Sequence, residues 1–225
     1  MTEPLPISTE PVVTTEPAVS PAAIPKRPAK PDVFPVLEKM AELYPQLFGA
    51  VFLPLKRGIF QDLQDAHPDV FERDSLKAAL SLHTRSTRYL TAVASGEQRH
   101  DLSGQPVEAM APEHVHHALL EVFRRRQTRS KEDLRPKLIA RIVQACEASG
   151  LTPAAYAERV RSRDEAANAV LDEAMVELEA RAAKTQALLQ AFQASGKTVD
   201  EFADMYGMDP RSVSRMLARA PASQA

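Results

Sequence analysis

The sequence predicts a mainly α-helical protein carrying one small β-hairpin. Three observations predict it. From residue 32 onward, apolar residues recur three or four apart through most of the chain, the period of a helix with one buried face. From about residue 131 the composition shifts to Ala, Glu and Arg, still with that period. Only "SGEQRHDLSGQPVEAM" carries the turn residues of a hairpin, with His100, Leu102 and Val107 around "SGQP".

The elements follow in order. Residues 1–31 read as a disordered arm of polyproline character, because prolines at 4, 6, 11, 17, 21, 25, 28 and 31 prevent helix and sheet ladders. Lys26, Arg27 and Lys30 close it with a small basic cluster, either a solvated linker or an arm that touches a polyanion without sequence preference. Asp32 is a fair N-cap for a helix carrying Phe34, Leu37, Met40, Ala41, Tyr44 and Leu47, which Pro45 ends or kinks. A short helix is expected from Gly58 to Ala66. Asp74 or Ser75 caps the next, with Leu76, Ala79, Leu80 and His83 on one stripe, and Thr84 interrupts it and caps another. After the hairpin, Pro112 opens a helix through "EHVHHALLEVFRRRQ".

In the second half, "QACEASGLTPAAYAERV" (144–160) matches "QAFQASGKTVDEFADMY" (190–206) without gaps at an offset of 46 residues. Each unit reads as a helix stopped by Gly, then a Thr N-cap (Thr152 or Thr198) starting a short helix. The run 164–193 places Val170, Leu171, Ala174, Leu178, Ala182 and Leu188 near helical spacing. Residues 198–220 read as helix–turn–helix, with Arg211 and Arg215 on the second helix. That is either a DNA-reading element or a helical hairpin closing a bundle or a dimer interface. The division expected is an arm (1–31), a first domain (32–130) and an all-α C-terminal domain (131–225).

Composition narrows the function. A formal net charge of −2 and a pI of about 6.3 exclude a polycation, so any nucleic-acid surface is a local patch. The single cysteine, Cys146, cannot form an internal disulfide and reads as a small buried hydrophobe. The start of the chain lacks the pattern of a signal peptide, and nowhere are 18 consecutive residues apolar, so the expectation is a cytoplasmic protein. His114, His116 and His117 do not place three ligands on one helical face, so no metal is expected. No Gly-rich phosphate loop or nucleophile motif occurs, so neither a cofactor nor an enzymatic activity is expected.

A patch does exist. Between residues 73 and 99 stand five cations, Arg73, Lys77, Arg85, Arg88 and Arg99, opposed only by Asp74 and Glu97. Arg73 and Lys77 share a helical face. Lys56 and Arg57 flank a helix start, whose free N–H groups suit phosphate. Tyr89 beside Arg88 is either an aromatic platform for an RNA base or a core residue with its hydroxyl satisfied at the rim. "FRRRQTRSK" holds Arg124, Arg125 and Arg126, either a capped helix exit or an auxiliary phosphate contact.

Three motifs in register, "PLKRGIFQDL", "LKAALSLHTRSTRYLTAVASGEQRHDLSGQPV" and "EHVHHA", resemble the ProQ/FinO family of bacterial RNA chaperones across about residues 33–128. The resemblance implies a small, mostly helical domain that binds structured RNA. It implies small regulatory RNAs or mRNA 3′ ends with a stem-loop and a 3′ tail, in post-transcriptional regulation. It places RNA contacts on Lys56, Arg73, Lys77, Tyr89 and Arg99, with Arg88 retained. Thr87 and Ser81 stand where the family often has an aromatic and an arginine. A regulator that binds DNA through residues 198–220 is the alternative.

Overall fold

The computed structural model describes residues 32–219, so the proline-rich arm and its basic cluster lie outside the described residues. Eleven helices and one two-stranded sheet occur among them. Helix α1 (Phe34–Leu43) stops two residues before Pro45, which begins the single turn α2 (Pro45–Phe48), since proline cannot donate within a helix but suits its first position. Helix α3 (Ile59–Ala66) starts after Gly58, whose φ of 82° suits a residue without Cβ.

Two caps differ from the sequence reading. Helix α4 (Arg73–Thr84) is capped by Glu72, whose carboxylate accepts from the N–H groups of Asp74 (3.0 Å) and Ser75 (2.7 Å). Thr84 does not cap α5 (Thr87–Val93). Its hydroxyl donates back to Leu80 O at 2.8 Å inside α4, and Ser86 accepts from Tyr89 N instead.

Strands β1 (Arg99–His100) and β2 (Pro106–Glu108) pair antiparallel, with Arg99 opposite Glu108. Asp101 organises the turn, its Oδ1 accepting from Ser103 N and Gln105 N, and Gly104 sits at φ 73°. On its other side His100 bridges to Leu55: its N–H donates to Pro54 O at 2.7 Å, and its carbonyl accepts from Lys56 N at 2.8 Å.

Helices α6 (Pro112–Gln127), α7 (Arg135–Ser149), α8 (Pro153–Val160) and α9 (Glu165–Ser195) follow. The boundary expected at residue 130 falls inside one continuous hydrophobic core. Val115 and Leu119 of α6 share it with Ile142 and Val143 of α7, Tyr156 of α8 and Leu171 of α9. Arg141 of α7 donates to Ala94 O behind α5, and Arg135 pairs with Glu173. The turn residues 129–134 resemble a domain linker, but the apolar stripe of α7 buries against α6 on one side and α9 on the other, so the core runs through the turn.

The internal repeat folds as two equivalent units. Gly150 and Gly196 end α7 and α9 in the left-handed conformation, and Thr152 and Thr198 cap α8 and α10 (Val199–Tyr206). Tyr156 and Phe202, at matching positions, are both fully buried. The second unit builds its own small core: Phe202, Ala203 and Val213 of α11 (Pro210–Arg219), with Leu188 and Phe192 of α9. Val170, Leu171 and Ala174 of α9 belong to the larger core, whereas Ala182 is exposed.

Candidate nucleic-acid interface

Two of the predicted site residues, Tyr89 and Arg99, meet on the backbone of Leu55, itself 3% exposed. Its N–H donates to the Tyr89 hydroxyl at 3.1 Å, and its carbonyl accepts from Arg99 Nη1 at 2.9 Å. Helix α5 and strand β1 therefore hold the two peptide groups of one residue from two sides. Gripped there, the chain delivers Lys56 and Arg57 together just before α3.

This arrangement corrects the reading of Tyr89 as an open stacking platform. Its ring is buried, 6% exposed, with its hydroxyl spent on Leu55. Burial pushes its pKa up, against the Leu55 hydrogen bond and the charge of Arg99. The apolar ring follows the stripe of Val93 into the core, and only the oxygen finds a polar partner. Arg99 is likewise no free surface cation. Its side chain is 13% exposed, bonded to Leu55 O, 3.0 Å from His114 Nδ1 and 3.8 Å from Glu108.

Lys56 and Arg57 each have an acidic partner. Lys56 Nζ donates to Asp62 Oδ2 at 2.7 Å. That bond raises the lysine pKa against partial desolvation, and the charges of Asp62, Asp101 and Glu108 add to it. Arg57 donates its backbone N–H to Glu108 Oε1 at 3.0 Å, with Nε 3.5 Å from Oε2. Glu108 is the residue that the sequence reading missed. Its signal is the cross-strand position opposite Arg99, where opposite charges pair.

Arg88 lies on a neighbouring surface. Its guanidinium sits 4.3 Å over the Phe52 ring and donates to Ala50 O. Beneath it, His83 packs against Phe48, Phe52 and Tyr89 with ring centroids 4.9, 4.3 and 5.2 Å away. Burial, and secondarily the charge of Arg88, lowers the His83 pKa to about 4, so the ring is neutral near pH 7. Its Nε2 is buried without a hydrogen-bond partner.

Arg73 and Lys77 stand exposed on α4, and their side chains have no acidic partner among the described residues. Arg124 pairs with Glu121 and Asp164, the latter just before α9. Arg125 donates to Arg85 O at 2.8 Å and Thr87 Oγ1 at 3.2 Å, tying α6 to the start of α5. Those two are bound within the fold, whereas Arg126 is exposed. Arg211 and Arg215 are exposed on α11 beside the small core, with Arg215 donating to Arg211 O and Ser212 Oγ.

Residues 31–135 match the ProQ/FINO family. Three relatives are each named RNA chaperone ProQ. That of Shewanella oneidensis is 40% identical over 91 residues, covering 39% of this chain and 43% of the relative. That of Aeromonas salmonicida is 38% identical over 109 residues, covering 44% and 52%. That of Aeromonas hydrophila is 38% identical over 109 residues, covering 44% and 51%. The chain thus spans about half the length of these relatives. No described helix is long and apolar enough to cross a membrane. Tyr89 and Arg99 of the second motif hold Leu55 of the first, His114 of the third meets Arg99, and the segment that brings the three together is the one that matches the ProQ/FINO family.

Proposed function

We propose that this domain binds structured RNA, and that the chain works as an RNA chaperone rather than as an enzyme. The observation that carries the reading is the convergence of Lys56, Arg57, Tyr89 and Arg99 on Leu55, from segments 44 residues apart at the widest. Lys56 and Arg57 meet phosphate, and Tyr89 and Arg99 hold the loop that presents them. Arg73 and Lys77 extend the cationic surface along α4, and Arg88 adds a guanidinium backed by Phe52. The RNA proposed is a stem-loop with a 3′ single-stranded tail, as in small regulatory RNAs and mRNA 3′ ends. The relatives' shared name, RNA chaperone ProQ, supports the same reading. Nothing in the relatives favours duplex DNA at α11, and the proposal does not include it.

The test is competition between a tailed RNA hairpin and duplex DNA of equal length, with the full chain. RNA should win, and its affinity should fall with salt, each phosphate contact contributing about −0.7 to the slope of log K against log salt. Equal binding of both nucleic acids, with Lys77→Ala and Arg73→Ala leaving the slope unchanged, would overturn the reading. Crosslinking in cells followed by RNA sequencing names the targets.

A further inference from the structure

The carboxylate of Glu108 lies where a phosphate would fit. The Arg57 backbone N–H donates to Oε1 at 3.0 Å, Arg57 Nε is 3.5 Å from Oε2, and Arg99 Nε is 3.8 Å from Oε1. One backbone N–H and two guanidinium groups converging on an anion are a donor set that phosphate oxygens take. Glu108 fills it incompletely. At 3.8 Å the Arg99 contact is longer than a hydrogen bond, and Arg99 Nε is buried without a hydrogen-bond partner. The acid is also placed to leave. Its side chain is 31% exposed and that of Arg57 is 65% exposed, so the pair is partly in water, where such pairs hold weakly.

We propose that Glu108 is an internal competitor for RNA phosphate. Its carboxylate occupies an anion subsite made by the Arg57 N–H and the Arg57 and Arg99 guanidinium groups, and an incoming phosphate displaces it. This rests on the RNA reading above. It follows that affinity is held down by the protein's own acid. In the wild type one anion replaces another, so the counterion that RNA releases is offset by one drawn to the freed carboxylate. The charge of Glu108 also reaches Lys56, after the larger effects of Asp62 and Asp101, so the restraint extends to a third cation.

The experiment compares Glu108→Gln with the wild type and with Glu158→Gln. Glu158 is an exposed acid on α8, and changing it alters the net charge equally without touching the subsite. Glu108→Gln should bind the tailed hairpin more tightly and steepen its salt slope by about 0.7, the share of one single-strand phosphate. Between 200 and 50 mM salt, its advantage over wild type should then grow about 2.6-fold. Unchanged or weaker binding by Glu108→Gln, or an equal gain from Glu158→Gln, overturns the proposal. A second readout uses inorganic phosphate alone on the full-length wild type. The Glu108 carboxyl carbon and the Arg57 amide should shift together in NMR as phosphate saturates. A Glu108 resonance that stays put while the Arg57 amide moves also overturns it. Joint shifts with phosphate in a protein that does not bind RNA would leave the subsite standing and remove the RNA reading instead.

Discussion

Removing one oxygen atom from Tyr89 will weaken the fold and loosen the loop carrying Lys56 and Arg57. In Tyr89→Phe the ring still fills its place, so no sizeable cavity opens. The Leu55 N–H, 3.1 Å from the lost hydroxyl, is left without a partner in a residue only 3% exposed. A buried unsatisfied donor costs about 1–3 kcal/mol. At about 3 °C per kcal/mol for a chain of this size, the Tm should drop by about 3–9 °C. Urea unfolding followed by circular dichroism, with the wild type alongside, measures the loss directly. Arg99 still holds Leu55 O, so the loop stays attached from one side and RNA affinity falls without vanishing. If Tyr89 acted by stacking on a base, Tyr89→Phe would keep the aromatic face and lose neither stability nor affinity. A midpoint equal to wild type would therefore refute the role assigned to the hydroxyl.

The remaining predictions concern other parts of the chain. Lys77→Ala, at an exposed cation without an acidic partner among the described residues, should leave the Tm unchanged and make the RNA salt slope shallower by about 0.7. Acid should destabilise the protein, because burial lowers both His83 and His116 from 6.5 to about 4. The unfolded chain takes up these protons below pH 6.5 and the folded chain only near 4. Stability is therefore full above 6.5 and is lost between 6.5 and 4, about 3 kcal/mol for each histidine at the bottom. Urea titrations at pH 7, 6 and 5 check it, and His83→Phe should flatten the dependence. Gly104→Ala should cost about 1 kcal/mol or more in thermal melting, since the new Cβ meets Gln46 Oε1 and φ is 73°. Phe202→Ala should melt α10 and α11 in hydrogen exchange without changing RNA affinity.

Periodicity made the helices legible, because a buried face repeats locally whatever it packs against. The Gly–Thr punctuation at 150–152 and 196–198 was legible for the same reason, being set within three residues. The caps of α4 and α5 lie two or three residues from those the sequence suggests, since Glu72, Asp74, Ser75, Thr84 and Ser86 are all competent acceptors and only the geometry selects among them. The site was legible as a set of residues and not as a set of roles. Arg99 reads as a surface cation because its partners, Leu55 and His114, lie 44 residues back and 15 ahead. Glu108 went unnoticed because its charge has meaning only once β1 and β2 are in register. The boundary expected at 130 lies within a shared core, because a polar turn marks a bend in the chain and says nothing of which apolar faces meet across it.

Helix α9 carries 31 residues, about 46 Å at 1.5 Å each. One end is sunk in the large core and the other in the small one, while Glu179 through Ala183 between them are exposed. That stretch is held by its own backbone bonds, a Glu177–Arg181 pair and the Thr185 hydroxyl on Arg181 O, all within the helix itself. A bare helical segment opens at little free-energy cost, so it transmits almost no cooperativity. The molecule should accordingly show two heat-absorption events in calorimetry, a small one from residues beyond about 185 and a large one from the rest. Ligands seated on the first half would raise the temperature of the large event alone.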